Sequence, residues 1–152
     1  MFRIELLSWE SARSAAGAIR FTVFVEEQRV PAEIELDEHD ATSTHALARS
    51  AQGEVIGTGR LLRAQGHASR SVGHVGRMAV LRAWRGRGVG GAILEALVEV
   101  ARTRGDTEVA LSAQLHALAF YRAHEFVDEG EDYVEAGIVH RDMRRVLQSP
   151  RA

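Results

Sequence analysis

Hydrophobic positions change spacing several times along this chain, and the changes divide it into short elements. Phe2, Ile4 and Leu6 alternate with polar residues, which predicts a strand over Phe2–Leu7. Ala12, Ala15, Ala16, Ile19 and Val23 then fall at helical spacing, with Ser8 placed to cap the helix and Val30-Pro31 placed to stop it after about Gln28. Pro31–Thr44 is acidic and has no period, so it reads as irregular. His45–Arg49 and Glu54–Arg63 predict a hairpin around Ser50-Ala51-Gln52-Gly53. Gln65-Gly66-His67-Ala68-Ser69 reads as a polar loop. Val72–Leu81 is a strand interrupted by Gly73 and Gly76, and glycines inside strands mark bulges or close backbone approaches.

The strongest periodic signal follows. Val89, Ile93, Leu94, Leu97, Val100 and Ala101 form one apolar stripe on a helix running to Arg104, with Gly105 as its stop. Glu108–Ser112 predicts a short strand, Leu115–His124 a helix, and Phe126–Val134 with Ile138–Val146 a closing strand pair. Neither a repeat nor a linker breaks the order, so residues 1–152 make one mixed α/β domain. Its central piece is strand, glycine loop, helix, strand. At 152 residues and 45% hydrophobic content, the chain is long enough for one core.

Composition narrows the chemistry. The chain has no cysteine, which excludes disulfides, a thiolate metal site and a cysteine nucleophile. Its seven histidines show no H-x-x-x-H or H-x-H pairing with acids in ligand order, so no metal is expected. A net charge of −2 argues against a nucleic-acid partner. No stretch approaches the ~20 apolar residues of a membrane span, and Met1–Glu5 does not begin a signal peptide. A cytoplasmic protein without a membrane partner is the expectation. Glu26, Glu27, Asp37 and Asp40 lie in an acidic stretch that either draws a cationic substrate or forms a solvated face.

Arg85-Gly86-Arg87-Gly88-Val89-Gly90-Gly91 carries the most specific chemistry, with four of its seven residues glycine. Glycine lets a backbone approach a ligand closely. The first amides of a helix lack partners and carry partial positive charge. Together they suit a phosphate, and Arg85 and Arg87 add forked cationic donors. The alternative is a tight packing turn. The Gly-Lys-Ser/Thr ending of a Walker loop is absent, and Gly86, Gly88 and Gly90 have the wrong spacing for a dinucleotide fingerprint.

Met78–Leu94 resembles the central motif of the GNAT N-acetyltransferase superfamily, whose Arg/Gln-x-x-Gly-x-Gly/Ala core is met by Arg85, Gly88 and Gly90. Arg20–Gln28, Asp37 with Asp40, Ala113-Gln114, Phe120-Tyr121 and Gly137–His140 resemble the ElaA-like (YjcF-like) branch. The resemblance implies a mostly antiparallel, twisted mixed sheet of about six to seven strands flanked by about four helices. Two positions depart from the pattern. Arg82 stands where proline is common, and Glu125 replaces the glycine before Phe126. A left-handed backbone at Glu125 would cost about 1 kcal/mol.

The same resemblance implies acetyl-CoA as co-substrate and a small-molecule or peptide amine as acceptor, with a homodimer left open. Its diphosphate is expected on the amides of Arg87–Gly91 and its pantetheine arm along Met78, Ala79 and Val80, with Gln114 a further cofactor contact. The Val80 amide would polarise the thioester carbonyl. Tyr121 would protonate the leaving sulfur, its other reading being a packing residue beside Phe120 and Phe126. His140, His116, His74, or Glu26 or Glu27 through water, compete as the base. Two rivals remain: an enzyme like the acyl-homoserine-lactone synthases that uses S-adenosylmethionine, suggested by Val23–Val25 and Gly57–Leu62, and a CoA-binding module without catalysis.

Overall fold

The computed structural model describes residues 1–63, 65–67 and 70–148. Its strands are β1 (Phe2–Leu7), β2 (Thr44–Ser50), β3 (Val55–Leu61), β4 (Gln65–His67), β5 (Arg70–Val80), β6 (Glu108–Gln114), β7 (Val127–Glu135) and β8 (Ile138–Val146). They form one sheet in the order β1-β2-β3-β5-β6-β8-β7, with β4 attached to β5. Among the described residues only β5 and β6 pair in parallel, over Val72–Val75 and Glu108–Leu111. The helices are α1 (Trp9–Arg20), α2 (Ala32–Glu35), α3 (Val89–Thr103) and α4 (Leu118–Ala123).

Strand alternation decides which helix covers which face. On β2, Ala46 and Ala48 join Ile56 and the α3 stripe of Val89, Ile93, Leu94, Leu97, Val98 and Ala101 in the main core. Leu47, between them, points the other way and packs on Ala12 and Ala16 of α1. The α3 helix lies close on the sheet because β3 offers glycine there. A Cβ on Gly59 would sit 2.6 Å from the Met78 sulfur and 2.8 Å from Ile93.

Several elements differ from the sequence expectation. Ser8 occupies the cap position of α1, but its side chain makes no cap bond. The first helix does run on past Arg20, although Phe21–Glu27 is wound wide, as the bond from the Gln28 N–H to the Val23 carbonyl shows. The acidic segment is not wholly irregular, since it contains α2 and a 3₁₀ turn at Asp40–Thr42. Within the expected polar loop, Gln65–His67 pairs with β5, while Ala68 and Ser69 lie outside the described residues.

Buried ions hold the acidic segment to the sheet. Arg20 is 1% exposed, and it bonds Glu35 and both oxygens of Asp40 (2.7 and 3.0 Å). Arg60 of β3 also reaches Asp40 (2.9 Å) and grips Asp37 through two bonds of 2.7 and 2.8 Å. Arg77 of β5 donates to the Glu35 carbonyl (3.0 Å) and to Asp37 (3.2 Å). Despite partial burial, the Arg60 and Arg77 guanidiniums hold the Asp37 carboxyl at about 2, below its ordinary value. Breaking one side of a buried pair leaves an uncompensated charge. Arg20→Met should therefore lower unfolding free energy by about 3–5 kcal/mol in urea titrations, whereas a loss below 1 kcal/mol would show the cluster to be energetically neutral.

Candidate active site

The parallel pairing of β5 with β6 stops at Val75 and Leu111, and beyond it the two strands part. A bulge helps turn β5 away. Thr58 opposes Ala79 but Arg60 opposes Gly76, so β5 holds one extra residue around Arg77 and Met78. Arg77 takes the left-handed conformation there (φ 51), and its hydrogen bonds to Glu35 and Asp37 steady it. The Leu81 N–H bonds the Ile56 carbonyl of β3 at 2.9 Å. By alternation, the N–H groups of Val80 and Met78 turn away from β3 and toward the gap.

The glycine loop sits at the open end of this gap. Gly88 caps α3 in the left-handed region (φ 84), and no side chain caps the helix. The first helical bond runs from the Ala92 N–H to the Gly88 carbonyl (3.1 Å), so the amides of Val89, Gly90 and Gly91 have no main-chain acceptor. Gly86 and Gly88 are exposed, and the Arg87 guanidinium lies 5.0 Å from the Trp84 ring centre. Arg85 points elsewhere: its Nε donates to the Val80 carbonyl (2.9 Å), and it grips the Glu27 carboxylate (2.9 and 3.1 Å). Phe120 and His124 of the α4 segment approach Gly90 and Gly91, leaving a Cβ on Gly91 only 3.1 Å from the imidazole.

A cleft of about 680 Å³ runs from Tyr121 through the gap to the α1 side of the sheet. Tyr121 is 8% exposed, and burial alone pushes its hydroxyl up to about 12. β6 turns Leu111 and Ala113 to the core and Ser112 and Gln114 to the other face. Ser112 opposes Asp142 and Gln114 opposes His140, so all four share that face. The buried His140 donates Nδ1–H to the Ile138 carbonyl (2.7 Å), which leaves Nε2 free to accept a proton, and its ring stacks on Tyr133. Gln114 bridges the gap to Gln28 (2.9 Å) and bonds His116 (2.7 Å). His74 lines the same cleft, and burial lowers its imidazole pKa.

The acids named from sequence separate. Glu26 is exposed, and Glu27 belongs to the loop arginines through Arg85 and Arg82. Asp37 and Asp40 are taken up by Arg20, Arg60 and Arg77, and the Asp40 side chain is 3% exposed. In this geometry Asp40 fastens the segment and does not face a ligand. Arg60, Asp142, Glu135 and Gly76 are among the cleft residues that escaped the sequence reading of the site. Only Gly76 carried a signal, as an interruption of an apolar strand.

A sheet parted between its parallel strands, with a free helix N-terminus at the opening, matches the GNAT-type fold of the acyl-CoA N-acyltransferases. Residues 10–147 match the "Acetyltransferase (GNAT) domain" family. YjcF of Bacillus subtilis, named as an N-acetyltransferase, is 36% identical over 128 residues, covering 84% of this chain and 87% of YjcF. The crystal structure of an acyl-CoA N-acyltransferase from Pseudomonas aeruginosa superposes with a TM-score of 0.81 at 31% identity, covering 96% of this chain and 100% of that one. Escherichia coli ElaA gives 0.81 at 30% identity, with 95% and 99% covered. The chain belongs to the GNAT acetyltransferase family, in its ElaA/YjcF-like branch.

Glu125, in the glycine's place after α4, has φ 69. The turn still closes through the Phe126 N–H to Tyr121 carbonyl bond at 3.1 Å. Glu125→Gly removes the strain of a side chain in this region and should raise stability by up to about 1 kcal/mol in chemical denaturation. A loss of stability would mean that the Glu125–Arg145 pair outweighs the strain.

Proposed function

We propose that this protein transfers the acetyl group of acetyl-CoA to the primary amine of a small-molecule or peptide acceptor held on the α1 side of the sheet. The observation that carries the reading is the pair of N–H groups at Met78 and Val80, turned into a gap that has free α3 amides at one end and Tyr121 beside it. The fit to the co-substrate is good on charge and shape. The amides of Arg87–Gly91 suit a diphosphate, the glycines of the loop give close approach, and the unpaired edge of Met78–Val80 suits an extended amide arm. Gln114, spanning the gap, completes the set. Acetyl-CoA supplies an activated thioester, so an amine can attack it without an enzyme nucleophile.

The chain's own groups then handle charge and protons. The Val80 N–H donates toward negative charge developing on the thioester oxygen. An alkylamine has a pKa of ~10.4 and must shed a proton first. His140 Nε2 is the base this reading assigns, because its tautomer is set by the Ile138 carbonyl. Tyr121 retains its proton throughout the physiological range. This reading assigns Tyr121 as the acid that protonates the departing sulfur as the C–S bond breaks, a thiolate whose ordinary pKa of ~8.5 lies below that of the tyrosine. The same desolvation raises the thiolate as well, which narrows the mismatch. No helix among the described residues is long and apolar enough to cross a membrane, and the reading is of a cytoplasmic enzyme.

Gly88→Glu should abolish CoA binding in calorimetry, by placing carboxylate charge at the phosphate position. Undiminished affinity would remove the loop assignment. Tyr121→Phe should lower kcat by roughly 10²–10⁴-fold while CoA binding persists. Unchanged kcat, with chemistry shown to be rate-limiting, would take Tyr121 out of the mechanism.

A further inference from the structure

Among the described residues, two buried side-chain nitrogens lack a hydrogen-bond partner, Arg60 Nε and His74 Nδ1, and both residues line the cleft. Arg60 opposes Gly76 in the β3–β5 register, and the Leu62 N–H bonds the His74 carbonyl at 2.9 Å. Arg60, His74 and Gly76 therefore share one patch on one face of the sheet. A Cβ on Gly76 would meet nothing within 4 Å, so the floor between the two nitrogens is bare. Immediately beyond this patch, β5 leaves β6 and the N–H groups of Met78 and Val80 begin.

Arg60 is 5% exposed and spends Nη1 and Nη2 on Asp37 and Asp40, and its Nε is the buried nitrogen of the group left with no bond. A buried donor of this kind calls for an oxygen. The surrounding charge says which kind. The guanidiniums of Arg20, Arg60 and Arg77 are matched by Glu35, Asp37 and Asp40, and Arg144 is matched by Glu108 and Glu129. Across the cleft, Asp142 and Glu135 have no cationic partner among the described residues, and Asp142 is tied only to the Tyr133 hydroxyl (2.5 Å). This excess negative charge attracts an ammonium and repels a carboxylate.

Resting on the transferase reading above, we propose that the acceptor is an amine carrying an uncharged amide carbonyl, as in a peptide or amino amide. The carbonyl lies over Gly76 and accepts from Arg60 Nε, while the amine end is drawn toward Asp142 and Glu135. Gly76 is then a specificity-determining position, open because the substrate needs the room.

L-leucinamide, L-leucine and isoamylamine share a branched skeleton and test this directly. Gly76→Val puts a good strand former where a Cβ has space, so folding should survive, with CoA calorimetry as the check. Measuring each acceptor with both proteins cancels differences in amine basicity. In the variant, kcat/KM for leucinamide should fall about tenfold more than that for isoamylamine, mainly through KM. Parallel losses, or none, would overturn the proposal, as would wild-type preference for leucine over leucinamide. A second readout needs no turnover. The Arg60 Nε–H resonance should shift when leucinamide is titrated into the wild type and stay still in Gly76→Val; no shift in the wild type counts against the site. A shift without acetylated product sustains the binding inference and refutes the transferase reading. Product formation indifferent to Gly76 does the reverse.

Discussion

Everything at the candidate site depends on two parallel strands failing to stay together. β5 and β6 are paired only over Val72–Val75, and a fully zipped pair would leave neither free N–H groups nor a cleft. The parting is held by an ionic chain that begins far from it. Arg20 fixes Asp40 and Glu35, Arg60 fixes Asp37, and these in turn hold Arg77 in the left-handed turn of the β5 bulge. Such a cluster contributes little net stability compared with apolar packing. Its value here is geometric, because it sets where one strand bends.

The parts that were legible from sequence are those whose causes are local. The α3 stripe, the glycine loop before it and the stop at Gly105 are properties of neighbouring residues, and the helix runs from Val89 to Thr103. The Glu125 anomaly was visible because one residue type is costly at one backbone angle. The ionic cluster was not visible. Its partners lie 15 to 42 positions apart, and a run of acids looks the same whether solvated or clamped. The two readings open for Asp37 and Asp40, a draw for a cationic substrate or a solvated face, both omit the arginines that pair with them. Asp142 and Arg60 remained hidden because only the β3–β5 and β6–β8 registers bring them to the cleft.

The two sides of the sheet divide the work by chemistry. The α3 side is apolar around Leu94, Leu97 and Met143, and supports the glycine loop from below. The α1 side carries Arg60, His74, Ser112, Gln114, His140 and Asp142 over the same strands, because alternation sends every second residue there. One gap joins the two environments, and Tyr121 stands at it. That arrangement suits bringing a phosphate-bearing thioester and an amine together from opposite faces.

The wide winding of Phe21–Glu27 has a bearing on how this lineage can vary. Each residue inserted into or deleted from a helix rotates everything beyond it by roughly 100°. Glu27 must meet Arg85 and Gln28 must meet Gln114, so the end of this helix is a phased joint between the glycine loop and the floor of the cleft. Substitutions in this stretch change local packing, but a single-codon gain or loss would misalign both junctions together. Length is therefore more tightly constrained here than residue identity.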